Sequence, residues 1–284
     1  MASGVSKLIP SDPEKSMIIR LLNPSILTCS TPFQRFGRIR IGGRGTIVKL
    51  RTGALAVFSP VALTDAVKTS MQSHLGSTDI KYITALDAEH HIFLESWHKA
   101  YPQAKVLAPE SLPAYRDKQG YFRIPDATWH LFRASERDKL SMSEEFDREF
   151  DMEFVAAHAN KELVFNHRPT RTLIEADLMF NLPAWEQHSR AGPDQTPLDP
   201  TKGLLNKVMN GINHTRGDAK WQKRFLWYAI SSADRQGFNA SARKIAGWDF
   251  ETVVPCHGDV IEGGGKGVFE KVFAWHLEAA KKSS

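Results

Sequence analysis

Residues 83–92 read Ile-Thr-Ala-Leu-Asp-Ala-Glu-His-His-Ile, follow a short β-like run and lead into a helix-like segment beginning near Phe93. Three side chains that can bind a metal or move a proton, Asp87, Glu89 and His90, lie within four residues there. Because alternate residues of an extended segment point the same way, Asp87 and Glu89 are expected to share a face. Two carboxylates and a histidine at a strand end suit a hard or borderline cation, although such a cluster also occurs in solvated loops and helix caps.

The composition is that of an ordinary globular chain. Its 284 residues are 42% hydrophobic and 24% charged, which allows one large domain or two small ones. The net charge is +5, but the basic residues are spread among acidic ones, so no nucleic-acid partner is predicted. Cys29 and Cys256 are far apart in the chain and neither has a neighbouring cysteine, which argues against a disulfide framework or a cysteine-based zinc site.

Hydropathy and the N-terminal residues indicate where in the cell the protein is expected. No apolar run reaches about 18 residues, so no membrane span and no membrane partner are predicted. Residues 1–15 contain no apolar signal core, which favours a cytoplasmic protein. We predict a flexible N-terminal tail over residues 1–16 and a single domain over residues 17–284, and the oligomeric state stays open.

Periodicity places strands and helices along the rest of the chain. Strands are predicted at 17–22, 46–50, 54–58, 79–83, 105–108, 150–157, 162–165, 172–176 and 251–255. Helices are predicted at 63–75, 93–99, 112–118, 204–212, 221–233, 239–246 and 267–282. Thr64 is a plausible N-cap, whereas residues 123–145 show no clear period. Strands grouped in two halves, each closed by helices, indicate stacked sheets with helices outside.

Polar residues able to bind metal follow four of the predicted strands. Each group comes directly after an apolar run, at the point where the strand ends. A single histidine in such a place is usually structural, but the strand ends of a sheet gather on one rim. The four groups are Asp87–His90, His158, Asp177 and His257–Asp259.

The order and spacing of these groups resemble the metallo-β-lactamase superfamily, from about Thr46 to Phe273. That family has a His-x-His-x-Asp-His motif after a strand, then a lone His, an Asp that bridges two metals and a last His near the C-terminus. The segments that look most similar are 57–61, 88–91, 175–180 and 255–258. The resemblance implies an α/β fold of four layers, an αββα sandwich.

In the first motif this sequence departs from the family. Glu89 and His90 stand where the family has Asp-His. Ala85 then occupies the first His position and offers no donor atom, and Asp87 stands at the second His position with a carboxylate in place of an imidazole.

The remaining positions match more closely. His158 matches the lone His, Asp177 the bridging Asp and His257 the last His. The resemblance therefore implies two ligand sets, Asp87, His158 and Asp177 for one metal, and Glu89, His90, Asp177 and His257 for the other.

The residues at positions 85 and 87 affect which metal the site would bind and how many ions it would hold. The family implies one or two zinc ions, and the carboxylate at position 87 makes the site harder, which brings in iron or manganese as alternatives. Because Ala85 cannot bind, we expect one tightly held metal on the second set and a weak or empty first site. Glu89 is predicted as a general base on a metal-bound water, with Asp87 as a second catalytic carboxylate.

The leading functional prediction is a metal-dependent hydrolase acting on an ester, lactone, thioester or amide of a small molecule. A helical insertion over about 183–247 is expected to cover the site and choose the substrate. Two alternatives stay open: a metal-dependent lyase or oxidoreductase on the same scaffold, and a metal-free, non-catalytic binding protein.

Overall fold

The computed structural model describes residues 12–282, apart from the side chains of residues 138 and 282. Most of the predicted tail, residues 1–11, lies outside this range. The last part of the predicted tail is helical, because α1 (Pro13–Ser16) forms a single turn. The Glu14 carboxylate accepts hydrogen bonds from the backbone N–H groups of residues 65 and 66, which ties this turn to the domain.

The larger sheet has seven strands in the order β1-β2-β5-β6-β7-β8-β9. Its strands β1 to β6 pair antiparallel, and β6 to β9 pair parallel. A small separate hairpin, β3-β4, lies between β2 and β5 in the chain. The bounds are β1 (Ile18–Asn23), β2 (Ile26–Thr31), β3 (Gln34–Arg35), β4 (Ile39–Arg40), β5 (Gly43–Lys49), β6 (Leu55–Phe58), β7 (Ile80–Thr84), β8 (Lys105–Pro109) and β9 (Trp129–Phe132).

The smaller sheet has four strands in chain order. They are β10 (Phe150–Val155), β11 (Glu162–His167), β12 (Thr172–Glu175) and β13 (Thr252–Pro255). The first three pair antiparallel, but β12 and β13 pair parallel although 76 residues separate their ends. Both strands of this parallel pair end at the same edge of the sheet, and candidate site residues follow each of them.

Helices cover the outer faces of both sheets. Those after α1 are α2 (Asp65–Ser70), α3 (Leu94–Ala100), α4 (Leu112–Lys118), α5 (Glu144–Asp147), α6 (Trp185–His188), α7 (Leu204–Ile212), α8 (Lys220–Phe225), α9 (Arg235–Ala246), α10 (Gly265–Val272) and α11 (Ala274–Lys282). Apolar residues of α2, α3 and α4 pack on the larger sheet, and those of α9 and α10 pack on the smaller one. The four layers form an αββα sandwich.

Alternation along the strands explains why they read as nearly continuous apolar runs. Ile47 and Val57 face the helices outside the larger sheet, whereas Val48 and Phe58 face the space between the sheets. Because both faces of the sheet are covered, neither set of positions can be polar.

Aromatic rings fill the space between the two sheets. Phe58 of the larger sheet contacts Phe150 and Phe165 of the smaller one, with ring centroids 5.4 and 5.0 Å apart. Phe146 stacks on Phe150 at 4.4 Å. These fully buried rings hold the sheets together, since large aromatic side chains bury more apolar area than most residues.

Several element boundaries differ from the sequence predictions. Helix α9 begins at Arg235, four residues before the predicted start, because Asp234 accepts a hydrogen bond from the Gly237 N–H at 2.8 Å and caps the helix. The predicted closing helix is two helices, α10 and α11, separated at Phe273. The irregular region 123–145 contains β9, which pairs with β8.

The region of the predicted insertion, 183–247, is mainly helical. Its last helix, α9, packs against β10, where Ser241 donates a hydrogen bond to Glu153 at 2.6 Å, so this helix belongs to the outer layer of the sandwich. The earlier part of the region includes α7, which lies beside the β3-β4 hairpin. Within residues 12–282, no helix is long and apolar enough to cross a membrane.

Candidate metal centre

Three candidate ligands meet at one rim between the two sheets. Asp177 and His257 follow β12 and β13, and because parallel neighbours run in the same direction, both strands end at the same edge. His90 lies in the turn after β7, which belongs to the other sheet. The site is therefore assembled across the sandwich.

The ligand atoms of these three side chains lie within 4.8 Å of one another. His90 Nε2 is 3.2 Å from His257 Nε2, and Asp177 Oδ1 is 3.1 Å from His257 Nε2. Two imidazole nitrogens and one carboxylate oxygen thus face a common point.

His257 is held by its other ring nitrogen. Its Nδ1 lies 2.6 Å from the carbonyl oxygen of Gly42, which only an N–H can approach as a hydrogen-bond donor. In the neutral ring this leaves Nε2 without a proton and directed at the cluster. Phe180 and Phe33 flank the imidazole, with ring centroids 4.8 and 6.0 Å away.

His90 is oriented by Asp87. Oδ1 of Asp87 accepts from the backbone N–H groups of Glu89 and His90 at 2.7 and 2.8 Å, and lies 2.9 Å from His90 Nδ1. Asp87 is fully buried. It therefore shapes the turn and directs His90 Nε2 toward His257, in the way that carboxylates orient metal-binding histidines.

Asp177 is held by Glu162 and Asn160. The two oxygens of Glu162 accept from the backbone N–H groups of Ala176 and Asp177 at 2.8 and 3.0 Å. Asn160 Nδ2 donates to Asp177 Oδ2 at 2.5 Å. The remaining oxygen, Oδ1, has no hydrogen-bond donor among the described residues, because the nearby His257 Nε2 carries no proton when Nδ1 donates to Gly42.

The electrostatics of the cluster follow from this geometry. Burial lowers the pKa of His90, but the Asp87 and Asp177 carboxylates outweigh it and raise that pKa to about 10. Burial raises the pKa of Asp177, but His90 and His257 outweigh it and hold that pKa below its usual range. The cluster therefore favours positive charge between its ligand atoms. A bound cation would take the place of the proton on His90 Nε2, because a neutral His90 ring whose Nδ1 donates to Asp87 presents an unprotonated Nε2, as His257 does.

Two further buried carboxyl groups lie behind Asp177. Burial and the carboxylates of Asp87 and Asp177 raise the pKa of Glu162 well above its usual value. Burial and Glu162 do the same for Glu175, whose Oε2 accepts from the Met179 N–H at 3.1 Å. Sequence reasoning missed both residues, because a glutamate at the first position of a predicted strand and one before its last residue carry no distinguishing pattern.

The other three predicted site residues lie outside the group of ligand atoms. Glu89 turns toward solvent and pairs with Arg35 at 3.2 Å. His158 is fully buried, and its Nδ1 accepts from the Asn160 N–H at 3.1 Å. Burial lowers the pKa of His158. Asp87 touches His90 rather than the common point, so three of the six predicted ligands come together and three do not.

A close backbone approach positions the loop that carries His257. Gly258 has φ +95°, and a Cβ there would lie 2.2 Å from the Asn181 carbonyl oxygen, so only glycine fits. The fully buried Arg44 donates to the carbonyl oxygens of Pro255 and Gly258 at 2.6 and 2.7 Å, on either side of His257.

A cavity of about 110 Å³ opens onto the two histidines. Its walls are largely apolar, and the Arg35–Glu89 pair lines it as well. The apolar residues are Phe33, Pro60, Val61, Ile92 and Phe93.

Comparison with solved structures places the fold. The metallo-β-lactamase from Erythrobacter litoralis is 12% identical with a TM-score of 0.57, over 94% of this chain and 97% of that one. The enzyme from Hirschia baltica is 11% identical with a TM-score of 0.55, over 92% and 98%. FIM-1 from Pseudomonas aeruginosa, solved in a mono-zinc form, is 10% identical with a TM-score of 0.55, over 93% and 96%. The predicted αββα metallo-β-lactamase fold is confirmed.

Sequence comparisons add the family. No curated protein matches the chain. The family model described as a domain of unknown function, DUF4336, matches residues 33–231, well over half of the chain. That range holds two of the three candidate ligands, His90 and Asp177, and ends before His257. The chain belongs to the DUF4336 family and has a metallo-β-lactamase-like fold.

Proposed function

We propose that this protein is a metal-dependent hydrolase that binds one ion through His90, Asp177 and His257. The proposal rests on the short distances between the Nε2 atoms of His90 and His257 and a carboxylate oxygen of Asp177. Each imidazole is oriented by a hydrogen bond at its other ring nitrogen. Three protein ligands with a further position open are typical of catalytic zinc sites, whereas structural sites are closed by four.

The bound ion would lower the pKa of a water and polarise the carbonyl oxygen of a substrate. The chain's own residues prepare the place for it. Gly42 and Asp87 direct the two imidazoles, Glu162 fixes the backbone of Asp177, and the rings of Phe33 and Phe180 shield His257.

The structural neighbours support this proposal. They are metallo-β-lactamases, and one of them is in a mono-zinc form. A single ion also agrees with Ala85, which leaves the first ligand set of the family incomplete.

The substrate proposal follows from the cavity. A volume of about 110 Å³ with apolar walls suits a small acyl group beside the reacting carbonyl of an ester, lactone, thioester or amide. Glu89 lines this cavity and is placed by Arg35, so we propose that it faces the substrate and can accept a proton there, rather than binding the ion.

Part of the predicted insertion packs behind the two rings that flank His257. Leu182, Ala184 and Met209 pack with Phe33 and Phe180, the two rings that flank His257. We propose that the part of 183–247 up to α7 influences substrate choice, within a single domain that begins near residue 17.

A second candidate rests on the donor set. Two histidines and one carboxylate also form the facial triad of non-haem iron(II) enzymes, so an iron-dependent oxidoreductase on this scaffold is the alternative. Metal identity and the class of reaction separate the two.

The test is metal analysis of protein purified without added metal, together with hydrolysis of a panel of small esters, lactones, thioesters and amides. We expect about one zinc per chain and hydrolysis of at least one class. His257→Ala should lose metal and activity together, whereas His74→Ala, at an exposed histidine in the helical turn Met71–Leu75 that follows α2, should lose neither. Iron with oxygen-dependent turnover would favour the alternative, and absence of any stoichiometric metal would refute both.

A further inference from the structure

Helix α7 is inverted with respect to the usual amphipathic arrangement. Asn206 and Asn210 are buried, whereas Leu204, Leu205 and Val208 are 77%, 53% and 51% exposed. A surface helix normally turns its apolar stripe to the core and its polar residues to water. Met209 packs inward, but the side of α7 that carries Leu204, Leu205 and Val208 is directed away from the domain.

The buried asparagines explain how the helix is held in this orientation. Asn206 Oδ1 accepts from the Arg40 N–H of β4 at 2.8 Å, and its Nδ2 donates to the Lys202 carbonyl at 2.9 Å. Asn210 Nδ2 donates to the Pro200 carbonyl at 3.2 Å. Polar contacts fix the inner side of α7, so the outward direction of its leucines is specified by the sequence.

The neighbouring helix α8 carries a further exposed apolar side chain. α7 and α8 are adjacent, and Trp221 at the start of α8 is 54% exposed. We define the outer patch as Leu204, Leu205, Val208 and Trp221. Exposed apolar residues clustered on one side of a soluble domain mark an interaction site.

The charge of this stretch of the chain indicates the kind of partner. Residues 199–224 hold six lysines and arginines and two aspartates, so this stretch carries +4 of the chain's net +5. Lys202 and Lys207, both exposed, stand beside the leucines on and before α7. Apolar side chains combined with surrounding basic residues and a tryptophan are the features by which a protein surface binds anionic lipid.

A second copy of the chain fits this surface less well. In a two-fold dimer the same patch meets itself, so the basic residues around Lys207 would face their own copies. Like charges opposed across a contact disfavour it.

We propose that the outer patch docks on an anionic lipid surface, with the leucines in the headgroup region and the lysines against the phosphates. This contact differs from a membrane span, and it revises the expectation from the sequence that no membrane partner exists. It does not rest on the proposed hydrolase, because metal is not involved in the contact.

The experiment is co-sedimentation of the full-length chain with vesicles of phosphatidylcholine alone or with about one third phosphatidylserine. We expect binding to the anionic vesicles only, weakened by salt because the attraction is screened within a Debye length. Leu204→Ser and Leu205→Ser together should weaken it at least tenfold, since each buried CH₂ contributes about 0.8 kcal/mol. Lys207→Gln should weaken it about fivefold.

Matched controls and a second measurement decide the result. Leu21→Ser, at a leucine that is 41% exposed on β1, and Lys118→Gln should each change binding less than twofold. No binding to anionic vesicles, or equal losses in the controls, would overturn the proposal. Two other outcomes would overturn it as well: a wild-type dimer that Leu204→Ser converts to monomer, and binding that appears only after residues 1–11 are removed, which would make that segment the occupant.

Discussion

Asp87 and Glu89 stand two residues apart, yet their carboxylates have opposite surroundings. Asp87 is fully buried against the His90 ring, whereas the Glu89 side chain is 41% exposed and pairs with Arg35. The expectation that they share a face assumes an extended backbone. Residues 87–90 instead form a turn in which Asp87 accepts hydrogen bonds from the chain just after it, as aspartates in turns commonly do.

This contrast predicts unequal effects on metal binding. Asp87→Ala removes the acceptor that aims His90, so metal affinity should fall about 10- to 100-fold, as is typical when a ligand's supporting partner is lost. Glu89→Ala removes no contact to the proposed ligands, so affinity should change less than about threefold. Competition with a chromophoric chelator measures both, after circular dichroism has verified folding. Equal losses in the two variants would restore Glu89 as a ligand.

The three residues that come together could be picked out in the sequence because each follows an apolar strand. His90, Asp177 and His257 all satisfy that rule. His158 satisfies it as well, yet its ring lies outside the group and accepts from Asn160, because a side chain's direction at a strand exit depends on the turn that follows. Gly42 could not be found, since it acts through a carbonyl oxygen that every residue has.

At the scale of elements, capping decides where helices begin. Thr64 was identified from its side chain and position, and its Oγ1 accepts from the Val67 N–H at 3.2 Å. The predicted start of α9 is too late, because Asn239 and Ser241 are residue types that also cap helices. Both are buried within the helix instead, and Asp234 is the cap. The residue pattern alone does not separate these two residues from Asp234, which caps the longer helix.

The cap of α2 gives a stability prediction. Thr64→Ala should lower the free energy of unfolding by about 1 kcal/mol, because the Val67 N–H loses its partner. Thr69→Ala, at an exposed position inside the same helix, should be neutral or slightly stabilising, since alanine has the higher helix propensity. Urea denaturation of both variants checks this, and a larger loss at residue 69 would contradict the capping role.

Strand β9 shows what periodicity cannot detect. Residues 129–132 are only four long and lie within a charged, irregular region, so they gave no strand signal. They become a strand because β8 offers an unpaired edge beside them. Stacked sheets with helices outside were predictable, since buried strands with apolar residues on both faces are distinctive over most of the chain, and the family resemblance implied the αββα order.

For the whole molecule, buried histidines predict a dependence of stability on pH. His276 on α11 packs among Phe238, Phe273 and Trp227, and its Nε2 lies 3.1 Å from Ser231 Oγ. Burial and the nearby Arg235 lower its pKa to about 4. Below about pH 6.5, His276 is therefore protonated in the unfolded chain but stays neutral in the folded one. Its contribution lowers the free energy of unfolding by about 3 kcal/mol as the pH drops from about 6.5 to 4.

The variant His276→Gln should lose this contribution, so its unfolding free energy should vary less steeply than wild type between pH 4 and 6.5. His74→Gln replaces an exposed histidine and should keep the wild-type slope. Denaturant titrations at several pH values measure the slopes. Parallel curves for wild type and His276→Gln would show that this histidine does not couple folding to protons.

The assembly of the site across both sheets has a consequence for the life of the protein in a cell. His90 and His257 are 167 residues apart, so an ion held by both would join the two halves of the chain and exist only while both are folded. Ligand that binds only the folded state stabilises it by about 2.7 kcal/mol at a hundred times its dissociation constant. Proteolysis that acts on opened chains should then slow as zinc supply rises. The cellular amount of this protein would then rise with the zinc supply, without a separate metal-sensing regulator.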